Sequence, residues 1–157
     1  MNVRYRSLAD MIRRQSERLG ERTAFIGQTR TWTYSDVDAE SNRVAQGFIA
    51  AGIGPGDTVA CLSKHAPECI VWVLAASKVG AVASLFNWRL AAPELDYVFG
   101  VSRPRLLLSD EFLQETLLSV SMPRWERSCV VSAMIGSLVI GVTLLAAPGA
   151  AVRSYRS

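Results

Sequence analysis

Three groups of residues in this chain have types and spacings that chemistry uses. Cys61, His65 and Cys69 recur at intervals of four, so thiolate and imidazole ligands for a zinc ion must be considered. Gly52, Gly54 and Gly56 form a glycine-rich stretch of the kind whose backbone amides cradle phosphate. Asp36, Asp38 and Glu40 place three carboxylates within five residues, where a general acid and a general base would need two. His65 is the sole histidine and the side chain best matched to proton transfer near neutral pH.

Each group lacks something its chemistry requires. A closed zinc site takes four ligands, and no fourth Cys or His lies near Cys61–Cys69; Cys129 stands in an apolar run. Cys61 falls in a predicted strand and Cys69 in a predicted helix, so equal spacing does not put them on one face. A phosphate loop runs strand, glycines, helix. Here the order is helix, glycines, strand, which predicts a plain turn. His65 has no serine or cysteine nucleophile in a recognisable motif beside it. The three acids sit at a predicted helix start, where the helix dipole stabilises carboxylates in any case. Trp32, Trp72, Trp88 and Trp125 are too dispersed for a stacking platform. The residues alone therefore predict no catalytic, cofactor-binding or metal-binding group.

The elements that would position these side chains follow from periodicity and capping. Ser7 with Asp10 opens a helix carrying Leu8, Met11, Ile12, Gln15 and Leu19 on one face and stopping at Gly20. Thr23–Ile26 and Arg30–Thr33 predict a small hairpin. Thr33 with Asp36 opens a second helix, with Val37, Ser41, Val44, Ala45 and Phe48 inward, ending near Ala51. Asp57–Ser63 reads as a buried strand. Pro67–Gly80 reads as a helix with Ile70, Val71, Leu74 and Ala75 inward. Ala81–Phe86 is uncharged and predicts a strand covered on both faces. A helix from Pro93 and a strand over Arg105–Ser109 complete the pattern. Strand, helix, strand, helix, strand with short connections predicts an α/β layer with a parallel sheet.

The whole chain has 157 residues and a net charge of only +3. Half its residues are hydrophobic and a fifth are charged, which excludes general disorder. Its basic residues are scattered, so a nucleic-acid partner is not expected. An odd count of three cysteines suits a reducing, cytoplasmic compartment, and the arginine-rich start has no long apolar core to serve as a secretory signal. From Cys129 to Val152 there are 24 residues without a charge. Residues 129–147 are long enough to cross a bilayer as a helix. The arginine excess, with Lys64 and Lys78 the only lysines, points instead to a shifted reading frame in a GC-rich gene. A third alternative is a fused segment buried against a partner.

The wording of residues 5–112 resembles the opening of the AMP-forming, or adenylate-forming, synthetases, which include the acyl-CoA synthetases. The matching phrases are Trp32-Thr-Tyr-Ser-Asp-Val37, Ser41-Asn-Arg-Val-Ala45 and Gly52-Ile-Gly-Pro-Gly-Asp-Thr-Val59. Pro67-Glu68, Ala75-Ala-Ser-Lys-Val-Gly-Ala-Val82, Asn87-Trp-Arg-Leu90 and Pro93-Glu-Leu95 continue them in order. His65 stands where many members carry a helix-capping asparagine, and Glu111–Leu118 reads as a family-like helix before the wording fades.

The resemblance implies a fatty-acid or other carboxylic-acid:CoA ligase, using ATP, magnesium and coenzyme A. It implies that residues 1–112 are part of the first N-terminal subdomain and that 113–157 are a divergent tail, helical or non-native. The family's phosphate loop, ribose-binding aspartate and catalytic lysine lie beyond the matched region, so no family site residue is carried over. A truncated chain of this kind is expected to be inactive alone and to expose apolar surface on Val71, Val82 or Leu85. That surface would favour self-association or pairing with a separately encoded remainder.

Overall fold

The computed structural model describes residues 5–27, 30–64, 67–120 and 129–132. The chain divides into two compact units, Met1–Asp57 with His65–Ala83, and Thr58–Lys64 with Ser84–Ser157.

The first unit is three helices and a hairpin. Extended Ser7 accepts the Asp10 amide at 3.1 Å, and α1 (Leu8–Leu19) runs from there until Gly20 donates back to the Ser16 carbonyl. Strands β1 (Thr23–Ile26) and β2 (Thr31–Thr33) pair antiparallel, with Phe25 opposite Trp32 and Ile26 opposite Thr31. Thr33 then caps α2 (Tyr34–Ala50) through a reciprocal pair. Its hydroxyl accepts the Asp36 amide at 3.0 Å, while the Asp36 carboxylate accepts the Thr33 amide at 2.8 Å. Helix α3 (Pro67–Val79) packs on α2, and α1 packs on both. Phe48 of α2 meets Trp72 of α3 edge to face, with ring centroids 4.6 Å apart.

Two expectations for α3 need correction. Ile70 is exposed, whereas Trp72 is buried. Ile70, Val73 and Ser77 share the less buried side of the helix at i, i+3 and i+7. Val71, expected to offer open apolar surface, is 2% exposed because α3 is buried over most of its circumference. Val82 and Leu85 are exposed as expected.

In the second unit, β3 (Thr58–Leu62), β4 (Val82–Phe86, from Ser84 on), β5 (Leu106–Ser109) and β6 (Cys129–Ser132) make one sheet in the order β4-β3-β5-β6. Val59 to Leu62 pair in parallel with Leu106 to Ser109, and Leu106 to Ser109 with Cys129 to Ser132. Helix α4 (Ala92–Ser102), one 3-10 turn (Glu111–Leu113) and α5 (Gln114–Ser119) accompany the sheet. Ala60, Leu62, Leu95, Phe99, Leu107, Leu113, Leu117 and Val120 form the core, and Phe86 meets Phe99 edge to face at 5.1 Å.

Strand β4 is not covered on both faces as its uncharged sequence suggested. Among the described residues it is the terminal strand of the sheet, and Val82 and Leu85 are exposed. The apolar run from Cys129 also begins differently from the bilayer-spanning helix considered above. Cys129–Ser132, with two β-branched valines, hydrogen-bonds as β6 beside β5, and a residue in that ladder cannot also be in the first turn of a helix. Residues 133–147 lie outside the described residues. Among the described residues, no helix is long and apolar enough to cross a membrane.

Candidate functional site

The glycine stretch is the clearest test of a phosphate site. Helix α2 ends at Ala50, and the three glycine amides turn inward to protein acceptors. Gly52 donates to the Ile49 carbonyl at 2.9 Å, Gly54 to the Asp57 carboxylate at 2.9 Å, and Gly56 to the Gly80 carbonyl at 3.2 Å. With those amides committed and a carboxylate seated among them, this loop does not fit a triphosphate.

The acids are also committed. Asp36 is held in the capping box, and the Thr33 amide and hydroxyl, with Arg30 beyond them, hold its carboxyl below the ordinary aspartate range. Asp38 lies 2.6 Å from the Lys78 ammonium, and Glu40 is paired with Arg43. Three carboxylates with three separate partners do not make a general acid/base pair.

Cys61 lies in β3 and Cys69 in α3, both buried. His65, the proposed third ligand and candidate base, lies outside the described residues. Among the described residues, no group of three or more His, Cys, Asp or Glu side chains could hold a metal ion. The tryptophans are dispersed structural groups. Trp32 is buried beneath the Arg30 guanidinium, 3.4 Å from the ring centroid. Trp72 packs on Phe48, Trp88 has the cations of Lys64 and Arg89 each 4.6 Å from its ring centroid, and Trp125 is outside the described residues.

Two polar assemblies were not anticipated. In the first unit, a cavity of about 480 Å³ opens among α1, α2 and α3, lined by Asp10, Arg13, Asp38, Asn42, Gln46 and Lys78 above Ala45 and Ile49. Its charges are largely matched internally. Lys78 Nζ donates to Asp38 and Asn42, and Arg13 pairs with Asp10 and Glu17. The guanidinium of Arg14, then the Arg6 amide and Arg13, hold the Asp10 carboxyl below its ordinary range.

In the second unit, the chain steps from β3 to β4 on one side and then crosses to β5 on the other, so the order reverses between β3 and β5. Beyond those strand ends, the buried Asp110 carboxylate accepts the Ser63 hydroxyl and the Lys64 amide, each at 2.9 Å. Lys64 Nζ lies 4.6 Å from the Trp88 ring centroid and 4.1 Å from that of Phe112. Ligands of open α/β sheets gather at such reversals, a topological signal that a reading by motif passes over. Asp110 directly follows the predicted strand, so its position was legible although its role was not. The arrangement fixes a loop, and its one hydroxyl, on Ser63, is buried with its proton directed at Asp110.

The sequence profile of the AMP-binding enzymes matches residues 12–152. The fatty acid–[acyl-carrier-protein] ligase ScoC of Streptomyces coeruleorubidus is 42% identical over 90 residues, covering 57% of this chain and 17% of that protein. The 3-hydroxybenzoate–CoA/4-hydroxybenzoate–CoA ligase of Thauera aromatica is 42% identical over 96 residues, covering 60% and 18%. This chain thus spans about a sixth of the length of these relatives. Among solved structures, the N-terminal domain of FACL13 from Mycobacterium tuberculosis superposes with a TM-score of 0.76 at 25% identity, over 82% of this chain and 34% of that one. A fatty acyl CoA synthetase from the same organism gives 0.73 at 26% identity, over 81% and 26%.

Proposed function

Because this chain belongs to the family of AMP-binding enzymes, we propose that it forms the opening α/β scaffold of a ligase that activates a carboxylic acid as its adenylate. The reading extends to an acyl- or aryl-CoA ligase consuming ATP with magnesium and coenzyme A, and to catalytic inactivity of the 157 residues on their own. Fatty and hydroxybenzoic acids are the favoured substrate classes, since the names of ScoC and of the Thauera ligase carry them.

The observation that carries the inactivity is the glycine turn at 52–56. Adenylation needs donors around a triphosphate, with positive charge where the phosphoryl oxygens gain charge. The turn's amides are spent on Ile49, Asp57 and Gly80. No step through ATP or coenzyme A is therefore assigned to these residues.

Acid-dependent ATP–pyrophosphate exchange tests the proposal, with the purified chain offered medium-chain fatty acids and 3- and 4-hydroxybenzoate. The expected result is no exchange above a mock purification. Exchange that follows this chain quantitatively through two orthogonal columns overturns it.

The exposure of Val82 and Leu85 favours a second reading, a non-enzymatic module that pairs with a separately encoded remainder of a synthetase. A larger polypeptide of the same family co-purifying at equal stoichiometry supports that reading.

A further inference from the structure

We propose that Lys64 Nζ is an acylation site, taking the acyl group of an activated donor whose acyl part is aromatic or otherwise apolar. This goes beyond the ligase reading and does not depend on it, since the donor is an acyl thioester from any source. Lys64, Trp88 and Phe112 all belong to the second compact unit.

The chain has two lysines, and their amines are held in opposite ways. Lys78 is sheltered, and its ammonium donates to the Asp38 carboxylate, the Asp38 carbonyl and the Asn42 side chain. All three of its N–H groups are thereby engaged. Lys64 is exposed. Among the described residues its ammonium meets aromatic faces, 4.1 Å from the Phe112 ring centroid and 4.6 Å from that of Trp88. Its backbone is fixed separately, by the amide that donates to Asp110. The root of the side chain is anchored while its amine stays within reach of a reagent.

The two rings stand edge to face, with centroids 6.1 Å apart. Phe112 is exposed and Trp88 half-buried, so ring surface lies open beside the amine. A flat or apolar acyl group resting on that surface brings its carbonyl carbon next to Nζ. An acetyl group has too little area to gain from it.

The step balances without a further reagent. The ammonium first gives one proton to solvent. The nitrogen pair then attacks the thioester carbonyl carbon, the C–N bond forms, the C–S bond breaks and the thiolate leaves. The second nitrogen proton passes to solvent, and nothing is oxidised or reduced. The product is a neutral amide, so the charge that held the side chain on the rings is lost.

The full chain is treated in mildly alkaline buffer with the acetyl or the benzoyl thioester of N-acetylcysteamine. Nα-acetyllysine amide in the same tube is the free-amine reference. No arginine lies between Arg43 and Arg89, so arginine-specific digestion leaves both lysines in one peptide, and its fragment masses assign the label. Benzoylation is expected to be at least ~10-fold faster at Lys64 than at Lys78, whose reaction waits on local opening. Relative to the free amine, Lys64 is expected to favour benzoyl over acetyl by about 3–10-fold. Phe112→Leu removes the exposed ring and should bring that preference toward the free-amine value, with unchanged circular dichroism. If that variant fails to fold, the preference of the parent chain decides the matter by itself. Benzoylation of Lys64 no faster than that of Lys78 overturns the proposal. So does a benzoyl preference equal to that of the free amine, which makes Lys64 an ordinary surface lysine.

Discussion

Lys78 Nζ lies 2.6 Å from Asp38 Oδ1 and 2.6 Å from Asn42 Oδ1, joining the last turn of α3 to α2 in a setting where the two charged side chains are only 13% and 19% exposed. The ammonium also donates to the Asp38 carbonyl and sits at the C-terminal end of α3, where the helix dipole favours a cation. A pair this sheltered is worth more than a surface ion pair, and breaking one side leaves the other charge poorly solvated. Lys78→Met is therefore expected to lower unfolding free energy by about 1–3 kcal/mol in urea titration. Met in place of both Lys78 and Asp38 should lose less than the sum of the single changes. Strict additivity would mean that solvent screens the pair.

The capping box at α2 gives a pH dependence of definite sign. The Thr33 amide and hydroxyl favour the ionised form of Asp36, so its folded pKa lies below the unfolded one. Such a group stabilises the fold above the unfolded value and loses that contribution as pH falls through the folded value, that is, below about pH 4. Asp36→Asn should flatten the stability profile in that acid window and leave the profile above pH 6 nearly parallel to the parent. Thr33→Ala removes the hydroxyl acceptor and should cost about 1 kcal/mol at neutral pH. Thermal unfolding between pH 2.5 and 7 measures both.

The capping Ser7 and Thr33 were legible in the sequence because a cap is local, with donor and acceptor three residues apart. Ser7–Asp10 and Thr33–Asp36 fold as their spacing predicts. The parallel layer was legible too, because alternating strand and helix patterns leave few topologies. Sheet order was not. An uncharged run such as Val82–Phe86 reads the same in a central strand or a terminal one, and only pairing decides which faces stay open. Cys129–Ser132 misled for the same reason, since a short apolar run does not declare its period. The Asp110–Ser63 bond joins residues 47 apart, a separation that no local pattern encodes.

Asp110 is the residue of that pair whose loss should be felt most. Asp110 is 7% exposed, and its carboxylate holds the Ser63 hydroxyl and Lys64 amide, fixing the turn out of β3 against the end of β5. Asp110→Ala strands two donors and should destabilise by about 2–4 kcal/mol, with ~1–2 for each. Ser63→Ala removes one donor and should cost less than half as much. Amide hydrogen exchange separates a local from a global effect. Protection at Lys64 should fall further in Asp110→Ala than protection in the Leu106–Ser109 strand.

Two positions in the left-handed backbone region make opposite predictions. Arg103 ends α4 at φ +43° and ψ +56°, its amide donating to the Phe99 carbonyl at 2.8 Å. A residue with a Cβ pays strain there of roughly 1–2 kcal/mol, which glycine avoids at a smaller cost in unfolded-chain entropy. Arg103→Gly should therefore raise stability by up to ~1 kcal/mol. Gly80 closes α3 at φ +74°, and a Cβ there would come within 3.3 Å of Pro55 Cγ. Gly80 also supplies the carbonyl that holds the Gly56 amide, so strain at 80 is passed to the glycine turn. Gly80→Ala should cost at least ~1–2 kcal/mol, read as a lower urea midpoint at unchanged slope. If both substitutions moved the midpoint in the same direction, backbone strain would not be what distinguishes these two helix ends.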